Sequence, residues 1–257
     1  MKTFEFELKD GVGTITLNRP EKINALTFET YRELTDFFAS KNPARVLLIR
    51  GKGRGFCSGG DVNEIIGPLL KMDARGLLEF TRMTCELVRN IRLLRKPVVA
   101  AVHGACAGAG AVIATACDVR LAAEDARFAF LFTRIGLSGA DMGAAYLLPR
   151  IVGFGRAAEI LLTGRFFDAA EAQRIGFVSR LCPPDRLAEE AGQLAAALAR
   201  GPAFGLGMTK EMMNRELSLD LEAALEWEAQ AQAICMQTPD FHEAHRAFVE
   251  KREPRFE

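Results

Sequence analysis

Lys96-Pro97-Val98-Val99-Ala100-Ala101-Val102-His103-Gly104-Ala105-Cys106-Ala107-Gly108-Ala109-Gly110-Ala111 is the stretch from which the rest of the chain is read. Val98 to Val102 is a short apolar run between Pro97 and His103-Gly104, as expected of a buried strand. Ala111 to Cys117 is apolar and alanine-rich, which suits a helix packed on all sides. Gly104, Gly108 and Gly110 lie between the two and allow close backbone approach. The first amides of the helix, near Ala109, lack partners within it and sit at its positive end, where they can hold a negatively charged oxygen.

Three other readings attach to the same residues. From Val98 to Cys117 only His103 is titratable with a basic character, and the segment is long enough for a membrane span. Its alanine, glycine and internal His-Gly content argue against that. Gly108-Ala109-Gly110 begins a dinucleotide fingerprint, but Ile113 stands where the third glycine belongs. Tight strand-to-helix packing without a ligand is the third reading, and the stretch alone leaves it open.

Outward from this centre, the pattern is α/β. Phe4, Phe6 and Leu8 alternate with charged residues, and Asp10-Gly11 turns the chain into Val12 to Asn18. Thr27 caps a helix whose apolar side includes Tyr31, Leu34 and Phe38. Val46 to Ile49 is a buried strand that runs into a second glycine-rich turn, Gly51 to Asp61. Gly60-Asp61 replaces the Lys-Ser/Thr of a phosphate-binding P-loop. Residues 66–76 read as a mobile connection, and the sequence leaves open whether it closes over a ligand; 77–94 read as a helix with Leu87, Ile91 and Leu94 on one face. Strands follow at 119–122 and 127–131, then a loop and short helix over 135–150. Helices at 155–162 and 168–175 precede a strand at 177–182. The remainder is helical, with a boundary near Arg200-Gly201-Pro202 that separates a core, 1–200, from a tail, 201–257. Strand pair followed by helix recurs, which describes a coil of ββα units. The tail's apolar faces need a cover, either the core or another subunit.

Composition narrows the function. Thirty-three basic residues balance thirty-three acidic ones, so no net field favours nucleic acid or an anionic membrane. The N-terminus lacks a signal-peptide core, and the six cysteines include no C-x-x-C pair. They read as reduced, mostly buried thiols in a cytoplasmic protein. No His/Cys/carboxylate cluster has metal-ligand spacing.

Asn18-Arg19-Pro20-Glu21-Lys22-Ile23-Asn24-Ala25-Leu26, Gly55-Phe56-Cys57-Ser58-Gly59-Gly60-Asp61 and His103-Gly104-x-x-Ala107-Gly108-Ala109-Gly110 together resemble the crotonase superfamily (enoyl-CoA hydratase/isomerase). Leu162-Thr163-Gly164-Arg165 with 169–176, and Ala247-Phe248-Val249-Glu250-Lys251-Arg252, extend the likeness to nearly the whole chain. The resemblance implies a spiral ββα core and a helical C-terminal oligomerisation region. It implies a homotrimer or homohexamer acting on acyl-CoA thioesters, with coenzyme A as part of the substrate and no separate cofactor. It implies an oxyanion hole from the amides of Gly60 and Ala109, beside Asp61. Glu64, a few residues past that turn, is a second, weaker candidate base able to line the acyl pocket, with a solvated helix face as its commoner reading. Ser58 falls near the adenine. Lys22 falls near the pantetheine-nucleotide end, with Phe248 and Lys251 of a neighbouring subunit.

The departures matter as much. Counting from Gly108 and from Phe128, the two hydratase glutamates correspond to Val112 and Phe132, and neither side chain can move a proton. Hydration by the two-carboxylate route is therefore not expected. Asp141, read back from Leu148-Pro149-Arg150, matches the catalytic aspartate of dienoyl-CoA isomerases and of ring-opening epoxide isomerases. Counted forward from Gly136, the chain has one residue more, and Asp141 also suits a helix cap. Phe130 and Phe132 would give Asp141 an apolar setting, raising its pKa. The expected chemistry is a thioester enolate with Asp141 as base, shifting a double bond. The alternatives are a thioester hydrolase, a decarboxylase, a ring-cleaving hydrolase, a hydratase with atypical residues, and a non-catalytic acyl-CoA-binding subunit.

Overall fold

The computed structural model describes residues 1–256. Two sheets organise it. The larger has six strands in the order β1 (Phe4–Lys9), β2 (Val12–Leu17), β3 (Val46–Gly51), β5 (Val98–Val102), β7 (Val119–Ala123) and β10 (Arg180–Cys182). The smaller has β4 (Gly55–Cys57), β6 (Ala105–Ala107), β8 (Arg127–Ala129) and β9 (Phe166–Asp168). β1–β2 and β8–β9 pair antiparallel and every other pair is parallel. Each turn of the spiral lays one strand on the large sheet and the next on the small one: β3 then β4, β5 then β6, β7 then β8.

The helices are α1 (Phe28–Ala39), α2 (Ala74–Leu93), α3 (Ala109–Ala116), α4 (Ala144–Val152), α5 (Phe154–Thr163), α6 (Ala169–Arg174), α7 (Leu187–Ala199), α8 (Ala203–Glu216), α9 (Leu221–Cys235) and α10 (Pro239–Glu250). Four helices have a local reason for where they start. Thr27 accepts the Thr30 amide, Asp73 that of Gly76, Asp168 that of Glu171 and Asp220 that of Ala223.

The large sheet is covered on both faces, which is why its parallel strands read as unbroken apolar runs. Leu47, Ile49, Val98, Ala100 and Val102 face the main core with α1, α2 and α3. Val46, Leu48, Val99 and Ala101 face the opposite way, against Leu187, Ala191, Ala195 and Ala199 of α7.

Several boundaries differ from the sequence expectation. β4, β6 and β9 are three-residue strands inside stretches read as turns or helix flanks. β8 stops at Ala129, and residues 131–135 wind into a 3₁₀ turn. The expected strand at 177–182 shortens to 180–182. The supposed mobile connection begins with helical turns, Val62–Ile66 and Gly67–Leu69, and α2 starts at Ala74, three residues before the expected 77.

In the tail, α8 is anchored to the core and the last two helices are not. Lys210 is buried, and its ammonium donates to the carbonyls of Ile91 (2.8 Å) and Lys96 (3.0 Å) while pairing with Asp118 (2.8 Å). Asp118 also receives Arg92 (3.3 Å) and the Val98 amide (2.8 Å). By contrast, α9 buries only Ala231 and α10 only Ala247.

Candidate active site

The two glycine turns that follow β4 and β6 meet back to back. Gly59 (φ +103°) and Gly108 (φ +50°) occupy left-handed backbone that side chains disfavour. A methyl group on Gly59 would stand 3.2 Å from the Ala107 carbonyl and 3.6 Å from the Ala109 nitrogen. Gly110 has a different task from the ligand approach first ascribed to it. Its missing side chain lets α3 rest on β4, since a methyl there would fall 2.4 Å from the Cys57 carbonyl oxygen.

This contact leaves two amides available side by side. Leu26 N–H donates to the Gly59 carbonyl (2.8 Å), and the Leu26 carbonyl accepts from Asp61 N–H (2.9 Å). The Gly60 amide, between them, points the other way. Ala109 opens α3, so its amide has no partner inside the helix. Neither amide meets an acceptor among the described residues. Two unpaired donors beside a helix N-terminus favour a negatively polarised oxygen.

Asp61 shapes this turn from behind. Its buried carboxylate accepts from the Asn63 (2.8 Å) and Glu64 (3.0 Å) amides and pairs with Arg19 (2.9 Å). These bonds hold its pKa below the ordinary range, the Glu64 amide contributing most. Asp61, a candidate substrate contact, thus also braces the Gly59-Gly60 turn. Glu64 is exposed and ion-paired with the same Arg19.

The other predicted residues fall into three places. Ser58 donates from its hydroxyl to the Lys22 carbonyl (3.1 Å) and from its amide to Ile23 (2.9 Å), so Lys22 and Ser58 share one rim with the Lys22 side chain exposed. Phe130 has no exposed surface. It packs edge-on to Phe177 (6.3 Å), in the core and not on an open wall, because β8 ends one residue before it. Phe132 is buried with a small exposed fraction, and Val112 is wholly buried in α3. Phe248 (84% exposed) and Lys251 lie on α10 and its left-handed cap.

Asp141 does not cap a helix. The helix begins at Ala144 behind Gly143, with no side-chain cap; the Asp141 carbonyl accepts the Ala144 amide (2.8 Å), and its carboxyl meets the amide of its own neighbour, Met142. Met142, buried, is held at φ +50°, a conformation that costs a non-glycine residue about 1–2 kcal/mol. The half-buried Asp141 carboxyl is pushed above its usual pKa by burial, partly offset by the Met142 amide. A half-buried aspartate of raised basicity, on a strained loop and not spent on a helix cap, suits a proton-transfer role.

One residue of this region was legible only as a core position. Tyr31, on the inward side of α1, is 3% exposed and set edge-on to Phe80 (5.7 Å). Burial, and then the proximity of Cys57 and Asp141, push its phenol far up, so it remains protonated. It therefore lies within electrostatic reach both of the strand end that carries the oxyanion turn and of the Asp141 loop. Of the cysteines, Cys57, Cys106, Cys117 and Cys182 are buried and Cys85 is exposed. Burial pushes Cys57 up to about 12, as befits a packing residue.

At the far end of α3, buried Arg120 donates to the carbonyls of Cys117 (2.6 Å), Thr115 (3.3 Å), Ala114 (3.4 Å) and Phe177 (2.6 Å). The positive guanidinium answers the helix's negative end while the opposite end faces the site.

The ββα spiral thus carries a pair of free amides, at Gly60 and Ala109, and a half-buried aspartate of raised pKa, Asp141. The family profile for enoyl-CoA hydratase/isomerase matches residues 7–257, and the chain belongs to that family, the crotonase superfamily. It is 36% identical over 257 residues to 1,2-epoxyphenylacetyl-CoA isomerase of Escherichia coli, covering 97% of this chain and 96% of the relative. It is 38% identical over 255 residues to a protein of Rhodobacter capsulatus named a probable enoyl-CoA hydratase, covering 99% and 97%. A crystal structure from Streptomyces coelicolor, provisionally named an enoyl-CoA hydratase, superposes with a TM-score of 0.97 at 51% identity, covering 100% of this chain and 94% of that one. The protein is thus an acyl-CoA enzyme of this family.

Proposed function

We propose that the enzyme shifts a double bond in an acyl-CoA thioester through an enolate, with Asp141 as its single base. The observation that carries this reading is the state of Asp141: half-buried, raised in pKa, and not used as a helix cap. The Gly60 and Ala109 amides receive the thioester oxygen. The Asp141 carboxylate takes a proton from the acyl chain, and the electron pair left behind moves into the carbonyl. The same carboxyl then returns the proton to a different carbon. Nothing is oxidised or reduced. Each donor of such a pair is worth about 10²–10³ in rate, and a placed general base about 10²–10⁴.

Hydration needs a group to position water as well as one to move a proton. At the two places where the family resemblance sets glutamates stand Val112 and Phe132, both apolar and buried. Glu64, the nearest alternative carboxylate on the oxyanion turn, is exposed and tied to Arg19. The isomerase name of the Escherichia coli relative fits this reading, and the hydratase names of other relatives oppose it. In the same proposal Ser58 and Lys22 bind the nucleotide end of coenzyme A, with Phe248 and Lys251 from a second subunit of a trimer or hexamer. No cofactor beyond the substrate's coenzyme A is called for, and we place the enzyme in the cytoplasm.

The test is deuterium exchange. The protein is incubated in heavy water with saturated, unsaturated and cyclic acyl-CoA thioesters and followed by mass spectrometry, beside Asp141→Asn. Incorporation in the wild type that falls by 10²-fold or more in the variant is expected. Incorporation that survives in the variant would transfer the role to Glu64. Binding without any incorporation would favour hydrolysis, decarboxylation or a silent binding subunit.

A further inference from the structure

The Tyr31 hydroxyl is a polar group without work inside the protein. It makes no hydrogen bond among the described residues, although the side chain is almost wholly buried. Nor is it among the side-chain atoms that are both sealed from solvent and unpartnered, a set comprising Asn42 Nδ2, Arg92 Nε, Glu211 Oε2 and Glu216 Oε1. The little surface that Tyr31 exposes therefore includes its oxygen. The ring is fixed by Phe80, itself edge-on to Phe28 (5.3 Å). The hydroxyl cannot swing away to bulk water without breaking that packing. Tyr31 shares one core cluster with Cys57, at the end of β4, and with Met142, next to Asp141, and both Cys57 and Asp141 act on it electrostatically. An acyl chain must pass between those two elements if its carbonyl is held by Gly60 and Ala109 and its proton is taken by Asp141.

We propose that Tyr31 is a specificity-determining residue whose phenol donates a hydrogen bond to an oxygen on the acyl group, so that the enzyme's substrates are oxygen-bearing acyl-CoA thioesters. This rests on the site assignment above. The physical reason is that a substrate seated on Tyr31 displaces water from a hydroxyl with no partner inside the protein, and the loss is regained only from an oxygen on that substrate. A hydrocarbon chain lying against Tyr31 leaves the hydroxyl unpaired. A chain with a hydroxyl, carbonyl or ring oxygen at that depth satisfies it. Sites with a polar group to satisfy discriminate more sharply than sites that only fill space. The phenol stays protonated, so it serves as a donor and leaves proton abstraction to Asp141.

The experiment measures binding rather than turnover, so it reads independently of whether Asp141 is the base. Titration calorimetry compares two matched pairs, hexanoyl-CoA with 3-hydroxyhexanoyl-CoA and phenylacetyl-CoA with 2-hydroxyphenylacetyl-CoA. Wild type, Tyr31→Phe and Asp141→Asn are each titrated. The oxygenated member of at least one pair is expected to bind about tenfold more tightly to wild type. That ratio should persist in Asp141→Asn and fall to about one in Tyr31→Phe. No preference in either pair, or a ratio unchanged by Tyr31→Phe, overturns the proposal. The thermal midpoint provides a second reading. Because the hydroxyl has no internal partner, Tyr31→Phe should melt no lower than wild type, and a clear drop would show that the oxygen is already satisfied within the fold. Failure of Asp141→Asn to abolish deuterium exchange would sink the assignment of the base without touching the Tyr31 ratio.

Discussion

Asp141 carries a cost that should be measurable apart from catalysis. Burial raises its pKa in the folded state above the value near 3.9 of an unfolded chain. Between those two values the folded protein binds the proton and the unfolded chain does not, so stability falls as pH rises through the window. The contribution is complete below the unfolded value and lost above the folded one. Asp141→Asn, which is neutral throughout, should therefore melt higher than wild type at pH 7 and match it below about pH 3.5. Equal midpoints at both pH values would mean that the carboxylate is fully solvated. In the wild type, the same shift predicts that kcat/KM falls on acidification with a midpoint above the ordinary aspartate range. The sequence placed Asp141 near a helix start and left its role as a cap open. The reason is that Asp-x-Gly before a helix is also the spelling of a cap. Only the backbone, with Met142 forced to positive φ and the helix delayed to Ala144, separates the two.

The short helix α3 links the chemistry to the fold at both of its ends. Its first amide faces the site, its second residue lies on β4, and its last carbonyls are held by Arg120. Gly110→Ala would place a methyl 2.4 Å from the Cys57 carbonyl oxygen, a backbone atom with nowhere to retreat. A loss of about 3 kcal/mol or more in urea unfolding is expected, from overpacking at a site that cannot relax. Arg120→Met should cost about 3–5 kcal/mol, because four carbonyls inside the core lose the guanidinium and, among the described residues, only that of Ala114 keeps another donor, the Cys117 amide, and Arg120→Lys should recover only part of it. A loss under about 1 kcal/mol for Arg120→Met would show that water replaces the guanidinium there. These contacts explain what the sequence could and could not reveal. The long strands β2, β3 and β5 and the capped helices declared themselves through apolar runs and Thr or Asp at their starts. β4, β6 and β9 did not, because three residues are too few for a period and their partners are distant in sequence. The glycines at 59, 108 and 110 were visible as a motif. That Gly108 permits a turn while Gly110 permits helix-on-strand contact became visible only in space.

The whole molecule ends in a region that its own core does not cover. Leu221 (74% exposed), Leu225, Trp227, Ile234, Phe241, Phe248 and Val249 present large apolar side chains on α9 and α10, two helices that bury one alanine each. An apolar surface of this extent is expected to be covered by association. Sedimentation equilibrium should then give a mass that is three or six times 28.2 kDa. Leu221→Glu with Phe248→Asp should lower that mass while leaving each subunit folded, since α8 is held independently by Lys210, Asp118 and Arg92. Lys210→Met tests that independence. It removes one partner of a buried ion pair and should cost about 3–5 kcal/mol. The two perturbations have different signatures if Phe248 and Lys251 reach a neighbour's coenzyme A. Dissociating the assembly should weaken thioester binding with little change in the subunit's helical circular dichroism, whereas Lys210→Met should lower the unfolding midpoint. A variant that dissociates yet binds thioester as tightly as wild type would confine the whole site to one subunit and leave the apolar tail with assembly as its only task.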